Sequence, residues 1–237
     1  MLAIIGGSGL TRLPELHITQ RRIVRTPYGI TSSPIVSGRL GSHEIVFLAR
    51  HGFGHTIAPH EINYRANIWA LHSIGVQDII SVSAVISLNS SLANGSLVLP
   101  HDLIDYTHSR SATFFEGQEQ PVTHTDFLTP YSETLRHALL QHAEKQQTPI
   151  CDHAVYGCLQ GPRWPTHAEI CRYRNDGTDI LGMTGMPEAV LARELNINYA
   201  HLCGIIGMRC LTGNNQTACQ ADNEQTIHTI RRLLADL

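Results

Sequence analysis

The stretch that most constrains this chain lies at residues 179–190, Asp-Ile-Leu-Gly-Met-Thr-Gly-Met-Pro-Glu-Ala-Val, where an apolar strand runs into a turn and then a helix. Ile180 and Leu181 fit the end of a buried strand, and Gly182 and Gly185 let backbone come close to a ligand. Pro187 suits the first turn of a helix reaching from Glu188 to Leu195. The Thr184 hydroxyl and the amides around it are natural anion ligands. The same residues also suit an ordinary strand-to-helix connection, so the other segments must decide.

They repeat the pattern. Leu2 to Ile5 reads as a short buried strand that breaks at Gly6-Gly7-Ser8-Gly9, a loop whose amides and Ser8 hydroxyl can hold an anion. That loop lacks both the G-x-G-x-x-G spacing and the lysine of a P-loop, so dinucleotide and nucleoside-triphosphate binding are poorly supported. Residues 34–40 and 43–49 read as a hairpin whose second strand delivers Arg50 and His51, a permanent cation and a titratable imidazole, among glycines. Arg50 suits bidentate pairing, either with a bound anion or with a structural carboxylate.

A helix is expected to open at Pro59-His60-Glu61, carry Ile62, Ala66, Trp69, Ala70 and Ile74 at helical spacing, and close at Gly75. Residues 77–86 form a central strand in which Ser83 is a third anion-ligand candidate. Between about Pro100 and Pro130 no clear period survives, over a length that points to an active-site or subunit-interface excursion. A helix from Tyr131 to about Gln146, a strand from His153 to Cys158 and a turn at residues 160–169 leading into another helix continue the α/β alternation. Trp164, between glycine and prolines, is either a lid on a flat ligand or a plug over the core edge. A last strand is expected from Asn198 to Ile206, a loop from Gly207 to Gln216, and a terminal helix with Ile227, Ile230, Leu233, Leu234 and Leu237 on one face.

Composition removes other classes. With 237 residues and 42% hydrophobic content the chain can bury one sizeable core, and a single α/β domain over 1–237 is expected. Net charge is -3, Lys145 is the only lysine and no basic run occurs, which argues against nucleic acid and anionic membranes as partners. The cysteines Cys151, Cys158, Cys171, Cys203, Cys210 and Cys219 form no C-x-x-C pair, so neither a zinc ribbon nor a thioredoxin-like motif is present. Free thiols, an N-terminal apolar run too short for a signal peptide, and no bilayer-length stretch place the chain in the cytoplasm.

Five ordered motifs, Ile4-Ile-Gly-Gly-Ser-Gly-Leu10, Phe47-Leu-Ala-Arg-His-Gly52, Pro59-His-Glu-Ile-Asn-Tyr-Arg-Ala-Asn-Ile-Trp-Ala-Leu71, Gln160-Gly-Pro-Arg163 and Gly182-Met-Thr-Gly-Met-Pro-Glu188, together resemble the trimeric purine nucleoside and methylthioadenosine phosphorylases. Within that family the chain is most similar to the bacterial S-methyl-5′-thioinosine phosphorylases. The resemblance implies a central mixed, partly barrel-like β-sheet flanked by helices. It also implies a phosphate site of Ser8, Arg50, His51, Ser83 with the Ala84 amide, and Thr184, of which Arg50, His51 and Thr184 would be catalytic. Met183 would lie under the ribose and Trp164, with Pro165 beside it, at the base. His124 would be lent by a neighbouring subunit toward the 5′ end of the nucleoside. No metal or organic cofactor is implied; orthophosphate is the co-substrate, the nucleoside the other ligand, and a homotrimer the assembly.

Departures from the family pattern centre on the base. Gly207 stands where relatives keep an Asp or Asn, and Arg209 where methylthioadenosine phosphorylases keep a second Asp. The glycine-rich turn after the Ser83 strand reads Val85-Ile-Ser-Leu-Asn89, and Gln160 replaces a glutamate. Phosphorolysis of a 6-oxopurine nucleoside, foremost methylthioinosine, is the expected activity, with Arg209, or else Asn214 or Asn215, serving the base at O6 and N7. Methylthioadenosine or inosine and guanosine phosphorolysis, or nucleoside binding with little turnover, stay open.

Overall fold

A computed structural model describes residues 1–116, 121–208 and 221–235. In chain order its elements are β1 (Leu2–Gly6), β2 (His17–Arg22), β3 (Arg25–Thr26), β4 (Gly29–Ile30), β5 (Ile35–Leu40), β6 (His43–Ala49), α1 (Tyr64–Ser73), β7 (Asp78–Ser87), β8 (Leu97–Val98) and β9 (Asp102–Asp105). There follow α2 (Glu133–Lys145), β10 (Ile150–Cys151), β11 (Val155–Cys158), α3 (His167–Asn175), β12 (Ile180–Gly182), α4 (Gly185–Glu194), β13 (Asn198–Met208) and α5 (Ala221–Ala235).

The long apolar run at residues 77–86 becomes β7, and the sheet is built outward from it. Ile79, Ile80, Val82, Val85 and Ile86 are all buried, as a strand covered on both faces requires. On one side β1 and then β6 run parallel to it, and β5 and β2 add antiparallel edges. On the other side β13 runs parallel to it from Asn198 opposite Asp78 to Gly204 opposite Ala84. At its carboxyl end β7 also meets β12 antiparallel, with Leu181 opposite Ile86, and the branch β12, β11, β9 departs there. The expected mixed sheet flanked by helices is therefore present, forked at β7. Helices cover both faces: α1 and α4 supply Ile68, Leu71, Ala189 and Leu191 to one core cluster, while α2 and α5 supply Leu139, Ala143, Ile230 and Leu233 to another.

Because β1, β6 and β7 are parallel neighbours, their carboxyl ends open on one side of the sheet, where α/β folds bind ligands. The loop after Gly6, the pair Arg50 and His51, and Ser83 with Ala84 are thereby brought together.

Several boundaries differ from the sequence expectation. The helix expected from Pro59 starts only at Tyr64: Pro59–Glu61 is a separate 3₁₀ turn and Ile62 is extended. Asn63 then restarts the chain as an N-cap, its side chain accepting from the Ala66 amide at 3.0 Å. The second long helix likewise starts after a Ser132 cap rather than at Tyr131. The last strand does not end at Ile206, because Gly207 and Met208 still pair with Ile86 and Ser87. The long excursion opens with β9 and is then pinned to α4, whose Glu194 accepts from Thr113 Oγ1 and the Phe114 amide, both at 2.7 Å. Strands β2, β8 and β10 had no legible period, being exposed throughout or only two residues long.

Candidate active site

The loop after β1 rests directly on the residues that β6 and β7 deliver. A Cβ at Gly7 would stand 2.5 Å from the Val82 carbonyl oxygen and 2.8 Å from Arg50 Nη1, so only glycine permits this approach. The result is a cavity of about 380 Å³ lined by Ser8, Arg50, His51, Ser83, Ala84 and Thr184 at its polar part, with Ile57, Pro59, Pro162, Trp164, Met183 and Ile206 also on its walls.

Arg50 is fully buried and its fork is closed on Glu188, also fully buried: Nε to Oε1 is 2.8 Å and Nη2 to Oε2 is 2.9 Å. Nη1 donates to the Val82 carbonyl at 3.0 Å and, at a long 3.5 Å, to Ser83 Oγ; Nη2 also reaches Ser81 Oγ. Of the two partners the sequence left open for Arg50, a structural carboxylate thus takes the bidentate face. Glu188 Oε2 additionally accepts from Ser81 Oγ at 2.6 Å and Tyr199 Oη at 2.8 Å. Burial alone would raise the Glu188 carboxyl, but the Arg50 charge and these hydrogen bonds outweigh it and hold the group below its ordinary value. Burial opposes the charged form of Arg50 too, and attraction to Glu188 outweighs that as well, so its pKa is raised.

His51 is nearly buried, with Nδ1 2.8 Å from the Ile57 carbonyl. A carbonyl can only accept, so Nδ1 carries the proton and Nε2 remains a bare acceptor. Burial, and then the adjacent Arg50 charge, push its pKa down to about 4, so at neutral pH this imidazole is uncharged.

Ser83 Oγ lies 3.1 Å from Thr184 Oγ1 and 2.8 Å from His201 Nε2. The amides of the Thr184 turn, expected as anion ligands, are directed elsewhere: those of Thr184 and Gly185 both donate to Tyr156 Oη at 3.2 Å, and that of Met186 to Cys158 Sγ at 3.3 Å. The turn offers the cavity the Thr184 hydroxyl instead.

Trp164 is 45% exposed and lies on the cavity wall, which excludes the core-plug reading. Pro165 does not line this cavity; it borders a neighbouring one of about 560 Å³ with Arg163, Glu169 and Tyr173. Gly207 is also absent from the wall, because it is engaged in the ladder with β7 while Ile206 beside it faces the cavity. His124 is exposed and does not line the cavity of its own chain. Arg209, Asn214 and Asn215 lie outside the described residues.

The family model of the phosphorylase superfamily matches residues 1–237. The chain belongs to this superfamily. It is 49% identical over 204 residues to a probable S-methyl-5′-thioinosine phosphorylase of Pseudomonas syringae pv. tomato, covering 86% of this chain and 83% of that one. It is 47% identical over 204 residues to a 6-oxopurine nucleoside phosphorylase of Pyrococcus furiosus, covering 84% and 76%. Among solved structures, a methylthioadenosine phosphorylase from Schistosoma mansoni in complex with tubercidin superposes with a TM-score of 0.93 at 30% identity, covering 99% of this chain and 89% of that one.

Sequence reasoning about this phosphorylase-superfamily chain passed over Glu188, Tyr156, Tyr199 and His201 as site-forming groups, and it also missed Arg110. Arg110 Nη2 donates to the carbonyls of Leu159 at 3.2 Å and Gln160 at 2.8 Å, and Nε donates to Gln160 Oε1 at 3.2 Å. With a further bond from Nη1 to the Met186 carbonyl, it ties the wall carrying Pro162 and Trp164 to α4. Nothing in the aperiodic segment around Arg110 marks that role; Glu188, a lone acid at the start of an apolar helix, was the one legible signal.

Proposed function

We propose that this chain is a purine nucleoside phosphorylase whose preferred substrate is S-methyl-5′-thioinosine. The observation that carries the reading is the cavity in which the hydroxyls of Ser8, Ser83 and Thr184, Arg50 and a neutral His51 adjoin walls formed by Met183 and Trp164. Phosphate bound at the polar part lies beneath the ribose, and one of its oxygens bonds to C1′ as the C1′–N9 bond breaks and its electron pair leaves with the purine. The proton that hydrogenphosphate gives up balances the one the purine ring takes. His51 Nε2, an acceptor, matches the one P–OH of hydrogenphosphate, and the hydroxyls of Ser8, Ser83 and Thr184 match its other oxygens. Phosphate is itself the nucleophile, so the reading needs no metal or organic cofactor.

The 6-oxopurine preference is supported by the names of the relatives in Pseudomonas syringae pv. tomato and Pyrococcus furiosus. Ile57, Ala58 and Pro59 on the wall offer apolar contact to a methylthio group, with His55 and Thr56 beside them. The homotrimer rests on the resemblance to the trimeric phosphorylases; the exposed Val122 and Leu128 near His124 are apolar side chains that a subunit contact would cover. A cytoplasmic location fits the free thiols of Cys151, Cys158, Cys171 and Cys203.

The test is release of free base from methylthioinosine, methylthioadenosine, inosine and adenosine, each with and without orthophosphate. The expected result is phosphate-dependent release with methylthioinosine the best substrate. Release of base at equal rate in phosphate-free buffer would assign hydrolysis instead.

A further inference from the structure

Behind the polar wall sits an imidazole that no motif marks. His201, in the middle of β13, is fully buried, with Nε2 2.8 Å from Ser83 Oγ and Nδ1 without a hydrogen-bond partner among the described residues. Its ring packs at 4.6 Å from that of Tyr156 and against Gly185, where a Cβ would stand 3.1 Å from Nδ1. We propose that His201 is a positioning residue that makes Ser83 an obligate hydrogen-bond donor on the phosphate side, either to the anion directly or to Thr184, which then donates onward, an inference resting on the phosphorolysis reading above.

The direction of each hydrogen bond follows from counting donors and acceptors. A neutral imidazole carries one N–H, and a buried N–H without an acceptor is more costly than a lone pair without a donor. With Nδ1 unpartnered, the proton belongs on Nε2, which then donates to Ser83 Oγ. Arg50 Nη1 approaches the same oxygen at 3.5 Å, so both acceptor positions of the hydroxyl face donors. Its own hydrogen has two directions left: Thr184 Oγ1 at 3.1 Å, or the cavity that Ser83 and Thr184 both line. In either case the hydrogen is delivered on the anion side, since a Thr184 hydroxyl that accepts from Ser83 turns its own hydrogen onward. Burial, reinforced by the Arg50 charge, drives the His201 pKa down to about 3, consistent with one fixed neutral tautomer. A serine without this partner must settle its hydroxyl orientation when the ligand arrives; here the orientation is set in advance.

The experiment compares His201→Leu, which removes the donor and retains apolar bulk, with His201→Gln, whose side-chain amide places an N–H as many bonds from Cβ as the imidazole Nε2. Orthophosphate affinity is measured directly by calorimetric titration, and KM is determined separately for phosphate and nucleoside. His201→Leu is expected to weaken phosphate roughly tenfold, the scale of one hydrogen bond to an anion, and to leave the nucleoside KM near its wild-type value. His201→Gln is expected to recover most of the loss, and His201→Leu to add little in a Ser83→Ala background. An unchanged phosphate affinity in folded His201→Leu, equal losses for both ligands, or full additivity with Ser83→Ala would each overturn the proposal. If His201→Leu does not fold, His201→Gln decides alone: near wild-type phosphate affinity supports the donor role, and a tenfold loss in a chain of wild-type melting temperature sinks it. Wild-type protein that binds phosphate but releases base without it would defeat phosphorolysis while leaving the His201 comparison decisive for anion binding.

Discussion

Replacing Glu188 by glutamine separates what holds the pocket together from what charges it. Arg50 and Glu188 are both 0% exposed, and the carboxylate takes two guanidinium bonds, a serine hydroxyl and a tyrosine hydroxyl. A glutamine can keep its oxygen where Ser81, Tyr199 and Arg50 Nη2 converge, but its NH₂ then faces Arg50 Nε, donor against donor. Breaking a buried pair from one side typically costs about 3–5 kcal/mol, because the surviving charge has neither water nor partner. For a chain of this size that corresponds to a melting temperature lower by roughly 6–10 °C. The uncompensated guanidinium also lies on the cavity wall, so orthophosphate should raise the melting temperature of the variant by more than that of the wild type. Differential scanning calorimetry with and without phosphate reads both effects. A Glu188→Gln variant that melts with the wild type, or that phosphate stabilises less, would refute the reasoning. Arg50→Met with Glu188→Leu is the control: apolar replacement of both partners should restore much of the stability and none of the activity.

Three further outcomes follow from the same geometry. The folded-state pKa values of His51 and His201, about 4 and about 3, lie below the ordinary histidine value, so the unfolded chain takes up protons that the folded one refuses. Stability should therefore fall by a few kcal/mol as pH drops from about 6.5 toward 4; urea titrations across that window check it, and His201→Gln should flatten the slope. Trp164→Ala should raise the nucleoside KM several-fold yet leave phosphate KM and melting temperature nearly unchanged, because the side chain is 45% exposed and lines the cavity; a large drop in melting temperature would return it to the core-plug role. The ratio of kcat/KM for methylthioinosine over methylthioadenosine should exceed one, and a ratio below one would reassign the base.

The strand ends of the site were legible in the sequence because each carries its own local signal. Ser8 follows a glycine break, Arg50 and His51 follow an apolar run, and Thr184 stands between glycines before a proline-started helix. Parallel register of β1, β6 and β7 brings the first of those ends together, and the antiparallel pairing of β12 with β7 adds Thr184. Of the groups behind them only Glu188 carried a local signal, as an acid opening an apolar helix, and that signal named no partner. Glu188 finds Arg50 across 138 residues, and His201 finds Ser83 across 118, so only the pairing of β13 with β7 and the packing of α4 against β13 and α1 make them partners. The occupation of the Thr184 and Gly185 amides by Tyr156 was hidden for the same reason. The start of α1 was misplaced because proline and an acidic first turn imitate a helix start that Asn63 makes one turn later.

The most direct test of the account is the identity of the sugar product. Purified protein is incubated with methylthioinosine and orthophosphate, and the reaction is followed by ³¹P nuclear magnetic resonance alongside free hypoxanthine. A sugar 1-phosphate resonance growing in step with the base, with no base formed when phosphate is omitted, is the predicted result. Free 5-methylthioribose with an unchanged orthophosphate signal would contradict it.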